Sequence, residues 1–524
     1  MNLLSWCEIG TLTKEIIMRK FAFGLAVLAV SLAAGCENSQ TGFLLTKPAP
    51  KNAKKIEKIS GKKIDRMNYR QLRRFVQKSV DCKNKIRKQR ALRACMMGEK
   101  KFTRNPQRVF FLSAAIDLAT DLERYKMVTR LTPRLRKYAT AALEKAEKES
   151  QQMIFDQVIT LSYYKQAVAL ANLGNLEEAL ASTTIAVNKG YRNHFGYELR
   201  GDLQYKLRNY EQASENYQLA IAAAYPAKRN PTWDAKKSAV PGKIPDTACR
   251  LIYKRASAEF YDGNARACTG QIKEIFRRSA PKKWNVKAYI LISQARLLEH
   301  YNTESALYNA REAVKLAPNN PAGYAQYAYV SLCKGYDYNA IEYANVALMM
   351  DSTNIKARAV RAQAYFNKAQ MNEPRAMSIR NGKLSNWQKR SIAQYKKYVK
   401  QYKADCKVLM NLNPKFQRDY FYRGMAYYIM GKTPQALDDF NTIIEMNPKN
   451  VLGYWGRYCV FRNSYSGAAS KKRVKALAKC AEITGKGTKQ IEKRMPLKPI
   501  KSENTPDQPE EKADTTETVE AWEF

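Results

Sequence analysis

Histidine is nearly missing from this 524-residue chain; His194 and His300 are the only two. Acidic residues are also scarce, 47 against 91 Lys and Arg. A general acid–base pair needs convergent titratable groups, and the few carboxylates here are scattered. No Cys/His spacing suits zinc and no CxxC occurs. GxSxG, HExxH, GxxxxGK[ST] and a GxGxxG following a strand are all absent. The chain is therefore not expected to be an enzyme or to hold a metal or cofactor. Long apolar runs are lacking too. The exception, Phe21–Ala34, is too short to favour a spanning helix.

What is present repeats. Residues recur at equivalent places 34 positions apart and again after an interruption: Ala306, Ala340 and Ala436; Ala313, Ala347 and Ile443; Pro318, Ser352 and Pro448. Such a period indicates helix–turn–helix units that bury their apolar faces only by stacking. The clearest unit, Gln417–Asn450, contains Arg423-Gly424, Ala426-Tyr427-Tyr428, Gly431, Ala436, Phe440, Ile443 and Asn447-Pro448. Gly424 and Ala436 are small where two helices approach, with Tyr427 and Phe440 filling the space beside them. Gly431 is placed to end the first helix. Thr433 is placed to cap the second, with Pro434 in its first turn.

These residues resemble the tetratricopeptide repeat (TPR). The resemblance covers roughly residues 160–483 and implies an all-α, right-handed α-solenoid of about eight units. Units follow the frame at 160–227 and 249–483, with a loop insertion at 228–248 and a second insertion near 371–390. Within the second, Ser385-Asn386-Trp387 is placed to start a long helix toward Met410. Residues 105–159 read as a helical cap or degenerate repeat.

By the same resemblance, the first helix of each unit lines a concave groove. The groove set is then Tyr164, Phe195, Tyr205, Tyr253, Phe260, Tyr329, Phe366, Phe421, Tyr428 and Trp455. Its aromatic bias suits a peptide or protein partner. The basic and Asn residues with which chaperone-binding TPR domains clamp a C-terminal carboxylate do not recur at matching places, so that ligand is not expected.

Residues 1–35 read as a signal segment with the true start at Met18: Arg19-Lys20, then Phe21–Ala34, then Gly35-Cys36. The ending resembles a bacterial lipoprotein signal, which implies lipidation of Cys36 and a membrane anchor. Glu37, rather than Asp, follows, which by resemblance leans toward the outer membrane, facing the periplasm. Cys82 and Cys95 are the local cysteine pair that an oxidising compartment would allow to bond.

The charge is +44. Residues 36–104 read as a disordered, lipidated basic linker; Lys47–Arg108 holds 22 Lys and Arg against 4 acids. Its densest part supplies a basic patch of Lys83, Lys85, Arg87, Lys88, Arg90 and Arg93. Such a field favours anionic lipid or glycan. Nucleic acid also fits the charge, but no recognition motif is present and an export signal argues against it. Residues 484–524 read as a disordered tail, acidic over Glu503–Phe524 with 8 acids and one Lys. The resulting expectation is a non-enzymatic envelope scaffold, with an electrostatic envelope tether as the alternative.

Overall fold

The computed structural model describes residues 66–225, 245–277, 280–299, 302–373, 385–462 and 467–484. The signal segment, Cys36, His300, most of the 228–248 insertion, part of the 371–390 insertion and nearly all of the tail lie outside them. Twenty helices and no strands make up the described residues. The chain divides into two compact units, residues 1–288 and 289–524.

The first unit contains α1 (Tyr69–Val80), α2 (Lys85–Lys101), α3 (Asn105–Asp121), α4 (Tyr125–Leu143), α5 (Glu149–Leu173), α6 (Leu176–Asn188), α7 (His194–Lys206), α8 (Tyr210–Ala224), α9 (Asp246–Tyr261) and α10 (Ala265–Arg277). The boundary falls within α11 (Lys282–Glu299). The second unit continues with α12 (Thr303–Leu316), α13 (Pro321–Cys333), α14 (Asp337–Met350), α15 (Ile355–Met371), α16 (Asn386–Met410), α17 (Gln417–Ile429), α18 (Thr433–Met446), α19 (Val451–Arg462) and α20 (Gly467–Thr484). Most helices pack on their neighbour in sequence, and several first helices of successive pairs also touch. This is the α-solenoid architecture of TPR-like helix pairs.

The repeat frame holds at its small positions. Ala306, Ala340, Ala436, Ala313, Ala347 and Ile443 are all fully buried. Gly431 has φ +73°, a conformation that a side chain with Cβ rarely adopts. A Cβ on Gly424 would meet the Phe440 ring at 2.8 Å, and one on Gly456 would meet it at 2.4 Å. The Phe440 ring thus fills the space left by two glycines on adjacent first helices. Ser385 caps α16 with a full capping box to Gln388, as its position before Asn386-Trp387 indicated. Thr433 does not cap α18. Lys432 occupies that place with no side-chain bond, and Thr433 is the first helical residue.

The linker expectation is corrected over residues 69–101, which form α1 and α2. Leu72, Phe75, Val76 and Val80 of α1 are buried, as are Ala91, Leu92, Ala94 and Cys95 of α2. They join one core with Phe110, Phe111 and Phe155. An apolar stripe at i, i+3, i+4 anchors each helix, and the charges lie on its other face. Charge density alone had concealed that stripe.

The Cys82–Cys95 bond is also absent: both thiols are free. Cys95 faces the core, and burial, with Asp117 nearby, pushes its thiol far above the ordinary range. Cys82 sits in the turn after α1, where its sulfur accepts from the Asn84 amide at 3.4 Å. Inward and outward placement on two different elements keeps the sulfurs apart.

Candidate functional site: the seams between first helices

Three seams show how adjacent first helices meet. In the first unit, α7 and α9 meet through opposite charges. Lys254 Nζ donates to Glu198 and to Asp202, both at 2.7 Å, and Arg250 donates to Glu198 at 3.0 Å. The Tyr217 hydroxyl donates to Asp202 at 2.8 Å, and burial beside that carboxylate pushes its pKa up. Each cation in this seam has a carboxylate.

In the second unit, α17 and α19 meet through rings. Phe421 packs on Phe440, centroids 6.1 Å apart, and Trp455 on Tyr458 at 4.9 Å. The Tyr428 hydroxyl donates to the Cys459 carbonyl at 3.3 Å.

Between them in register, α11, α13 and α15 carry a polar line of another kind. The Ser293 hydroxyl donates to the Ala306 carbonyl at 2.8 Å. Gln326 Nε2 donates to Ser293 Oγ at 2.9 Å, and Gln294 Nε2 approaches Gln326 Oε1 at 3.4 Å. Lys356 Nζ donates to the same Gln326 oxygen and lies over the Tyr329 ring, 4.7 Å from its centroid. Its neighbouring charge is another cation, Arg418 of α17. Burial, and then Arg418, pull the Lys356 amine down to about 7. An ammonium that loses hydration without gaining a carboxylate is disfavoured. Among the described residues Lys356 has no acidic partner. Ser293 and Gln326 are fully buried, so the line runs inside the helix stack, and Tyr329 and Lys356 are its half-buried members.

The ten aromatic residues assigned to the groove divide accordingly. Phe366, Phe421, Tyr428 and Trp455 are buried, at 8%, 1%, 4% and 0% exposure. Their assignment as partner contacts is corrected: they are core. Large rings bridge adjacent first helices wherever the small-residue frame leaves volume to fill. The other six are half-buried and mostly engaged with each other or with near neighbours. Tyr164 lies 4.6 Å from Tyr191, and Phe195 lies 3.8 Å from His194. Tyr205 meets Tyr210 and Tyr261, and Phe260 meets Tyr261. Tyr253 stacks near Trp284 at 5.8 Å, with Lys287 over both rings. Tyr329 alone of the ten joins the polar line. Gln326 and Lys356, absent from that aromatic set, are its centre. Gln326 is the one amide on an α13 otherwise built of small, aromatic and apolar residues, whereas Lys356 shares α15 with other basic residues and had no such signal.

Of the basic patch, Lys83, Lys85, Arg90 and Arg93 are exposed. Arg87 and Lys88 are partly tied down, to Ser79 at 3.1 Å and Asp121 at 2.5 Å. Among the described residues no group of three or more His, Cys, Asp and Glu could hold a metal ion. No described helix is long and apolar enough to cross a membrane.

No family model and no curated relative matches the sequence. Among solved structures the chain is similar to YrrB, a TPR protein with an unusual peptide-binding site, at 13% identity over 42% of this chain and 95% of that one, TM-score 0.28. It is similar to the C-terminal part of a TPR repeat-containing protein from Cytophaga hutchinsonii, at 13% identity over 56% and 98%, TM-score 0.33. A TPR protein from Parabacteroides merdae matches at 12% identity over 67% and 98%, TM-score 0.28. These scores are too low to carry an argument about function. The chain's own helix pairs define its class: TPR-like helical repeats.

Proposed function

We propose that this chain is a non-enzymatic scaffold that holds a peptide or protein partner on the first-helix face of its second unit. The observation behind the reading is the polar line Ser293–Gln326–Lys356 with Tyr329, which crosses three successive first helices. Ser293 and Gln326 are buried, and a segment laid on this face would touch the half-buried Tyr329 and Lys356 that they support. The Lys356 cation would gain the anion it lacks, so an acidic or phosphorylated segment fits best. The signal-like front end and Cys36 support a location at a bacterial envelope membrane, with a lipid on Cys36 as the anchor.

The test uses the full chain against a displayed peptide library, followed by affinities of the selected peptides. Gln326→Ala with Lys356→Gln is expected to weaken them at least tenfold. Tyr308→Ala, at an exposed position on a second helix, is expected to leave them unchanged. Equal affinities across all three chains would remove the face from consideration. Cys36→Ala is expected to release the chain from membranes into the soluble fraction; continued detergent-dependent fractionation would rule out the lipid anchor.

A second reading, an electrostatic tether to anionic lipid or glycan, rests on a separate observation. Arg70, Arg74, Lys78, Lys83, Lys85, Arg90, Arg93 and Lys100 are exposed on α1, α2 and the turn joining them. This binding should fall steeply with salt. Vesicle sedimentation with anionic and neutral lipid, at low and high salt, separates it from the first.

A further inference from the structure

α16, the helix that follows the second insertion, is the longest of the second unit. It runs 25 residues, against 14 each for the second helices α12, α14 and α18. Its charge is as uneven as its length. α16 holds seven Lys and Arg and a single acid, whereas α14 and α18 hold no Lys or Arg at all. A uniformly basic surface would not leave those neighbours bare, so the charge on α16 is local.

One face of α16 is fixed to the stack. Tyr398 lies 5.9 Å from Tyr365 of α15, and Tyr402 lies 5.4 Å from Phe366 of the same helix. Cys406 and Leu409 are buried. The single acid, Asp405, is buried and engaged by Arg358 and Arg361.

The opposite face is a row of cations. Lys389, Lys396, Lys400, Lys403 and Lys407 are all exposed. On a regular helix they fall within about 60° of one another and run about 27 Å along the axis. Arg390 and Lys397 are exposed on the flank of the row. Ala393 and Ala404, exposed between row and flank, are too short to hold the cations off a surface. None of the seven forms an ion pair with another described residue. Like charges three and four residues apart oppose one another on a helix, so the row works against the helix that carries it.

Charge alone suits any polyanion. Two features select a bilayer. The row is a straight convex ridge, which touches a plane along its whole length but does not enclose a single chain. Exposed apolar side chains also stand at its two ends, Trp387 at 69% in the first turn and Val408 at 48% in the last. Cations with Trp at the water boundary make up an interfacial helix. A sulfated or phosphorylated chain offers Val408 nothing apolar.

We propose that α16 rests lengthwise on an anionic lipid bilayer, its lysine row on the headgroups. This surface is separate from the first-helix face and deepens the tether reading, which otherwise rests on α1 and α2. Because α16 is a second helix, the first-helix face of its unit stays clear for a partner.

The test follows lysine acetylation by mass spectrometry in the full chain on vesicles, so that any anchor is common to all samples. One set of vesicles is phosphatidylcholine; the other is an equal mixture with phosphatidylglycerol. Lys396, Lys400 and Lys403 are expected to react at least tenfold more slowly on the anionic vesicles, with the difference lost at high salt. Equal rates on both overturn the proposal. Protection by soluble dextran sulfate, but not by anionic vesicles, overturns it in favour of a polyanionic chain.

In a variant carrying Lys396→Gln, Lys400→Gln and Lys403→Gln, Lys389 and Lys407 should lose most of their protection. Arg at the same three positions should keep it. Protection unchanged by the Gln substitutions would show that the row does not hold the lipid. If Lys83, Lys85 and Lys100 are protected and the α16 lysines are not, the tether reading stands and this surface is refuted; if neither set is protected, both fail.

Discussion

The α7–α9 seam and the α13–α15 seam occupy equivalent places in two helix pairs, yet only one is electrically complete. At α7–α9, Glu198 and Asp202 meet Arg250 and Lys254. At α13–α15, Gln326 stands against Lys356. A carboxylate in the first case and an amide in the second make the difference. A third seam, α17–α19, closes with Phe421, Tyr428 and Trp455 instead of charge. The comparison teaches that successive first helices can be joined by charge pairs, by rings, or by a buried amide that faces a cation.

The largest expected effect tests the seam closed by rings. Phe421→Ala should cost about 3–5 kcal/mol, as for other buried aromatic truncations. Tyr329→Ala should cost less than about 1.5 kcal/mol, because that ring is half-buried and packed on one side. Denaturant midpoints would show the contrast, and similar costs would end it.

Next comes the seam closed by charge. Glu198→Gln with Asp202→Asn would leave Arg250 and Lys254 without carboxylates. Stability should drop by about 2–3 kcal/mol, less than for a fully buried pair because these cations are partly hydrated. A chain unaffected by both changes would show that this network contributes little.

The open seam can also be closed by design. Gln326→Glu places a carboxylate at Lys356. It should weaken capture of acidic peptides at least tenfold. Tighter capture would contradict the assignment.

The smallest effect is on pH dependence. The groups facing Lys356 are Gln326, the Tyr329 ring, Cys333 and Arg418. Its folded pKa, near 7, lies below an unfolded value of about 10.4. The unfolded state then binds more protons between those values, so this group makes stability rise with pH from about 7 to about 10. Gln326→Glu should restore the folded pKa and abolish that rise. An equal slope in both chains would argue that Lys356 keeps ordinary hydration.

Much of the fold was legible in the sequence because small residues at fixed spacing have one physical use. Ala306, Ala340 and Ala436 are spaced for close helix contact, and each is fully buried. Ser385 before Asn386-Trp387 marked a helix start for the same local reason. The site was less legible. Phe421 and Tyr329 are both aromatic residues on first helices, and only the neighbouring pair decides which becomes core. Lys356 is one of 91 basic residues. Its importance comes from Gln326 and Arg418, 30 and 62 positions away in the numbering. In α1 the apolar stripe Leu72, Phe75, Val76 and Val80 lies among dense positive charge, and its spacing, not the charge, marks the helix.

The most direct test of an open seam beside closed ones is the reactivity of the two seam lysines. Full-length protein would be acylated with limiting reagent across pH 6–9, and each lysine followed by mass spectrometry. Lys356 is expected to react faster than Lys254, with a midpoint near 7. Lys356 reacting no faster than Lys254 would contradict the contrast between the two seams.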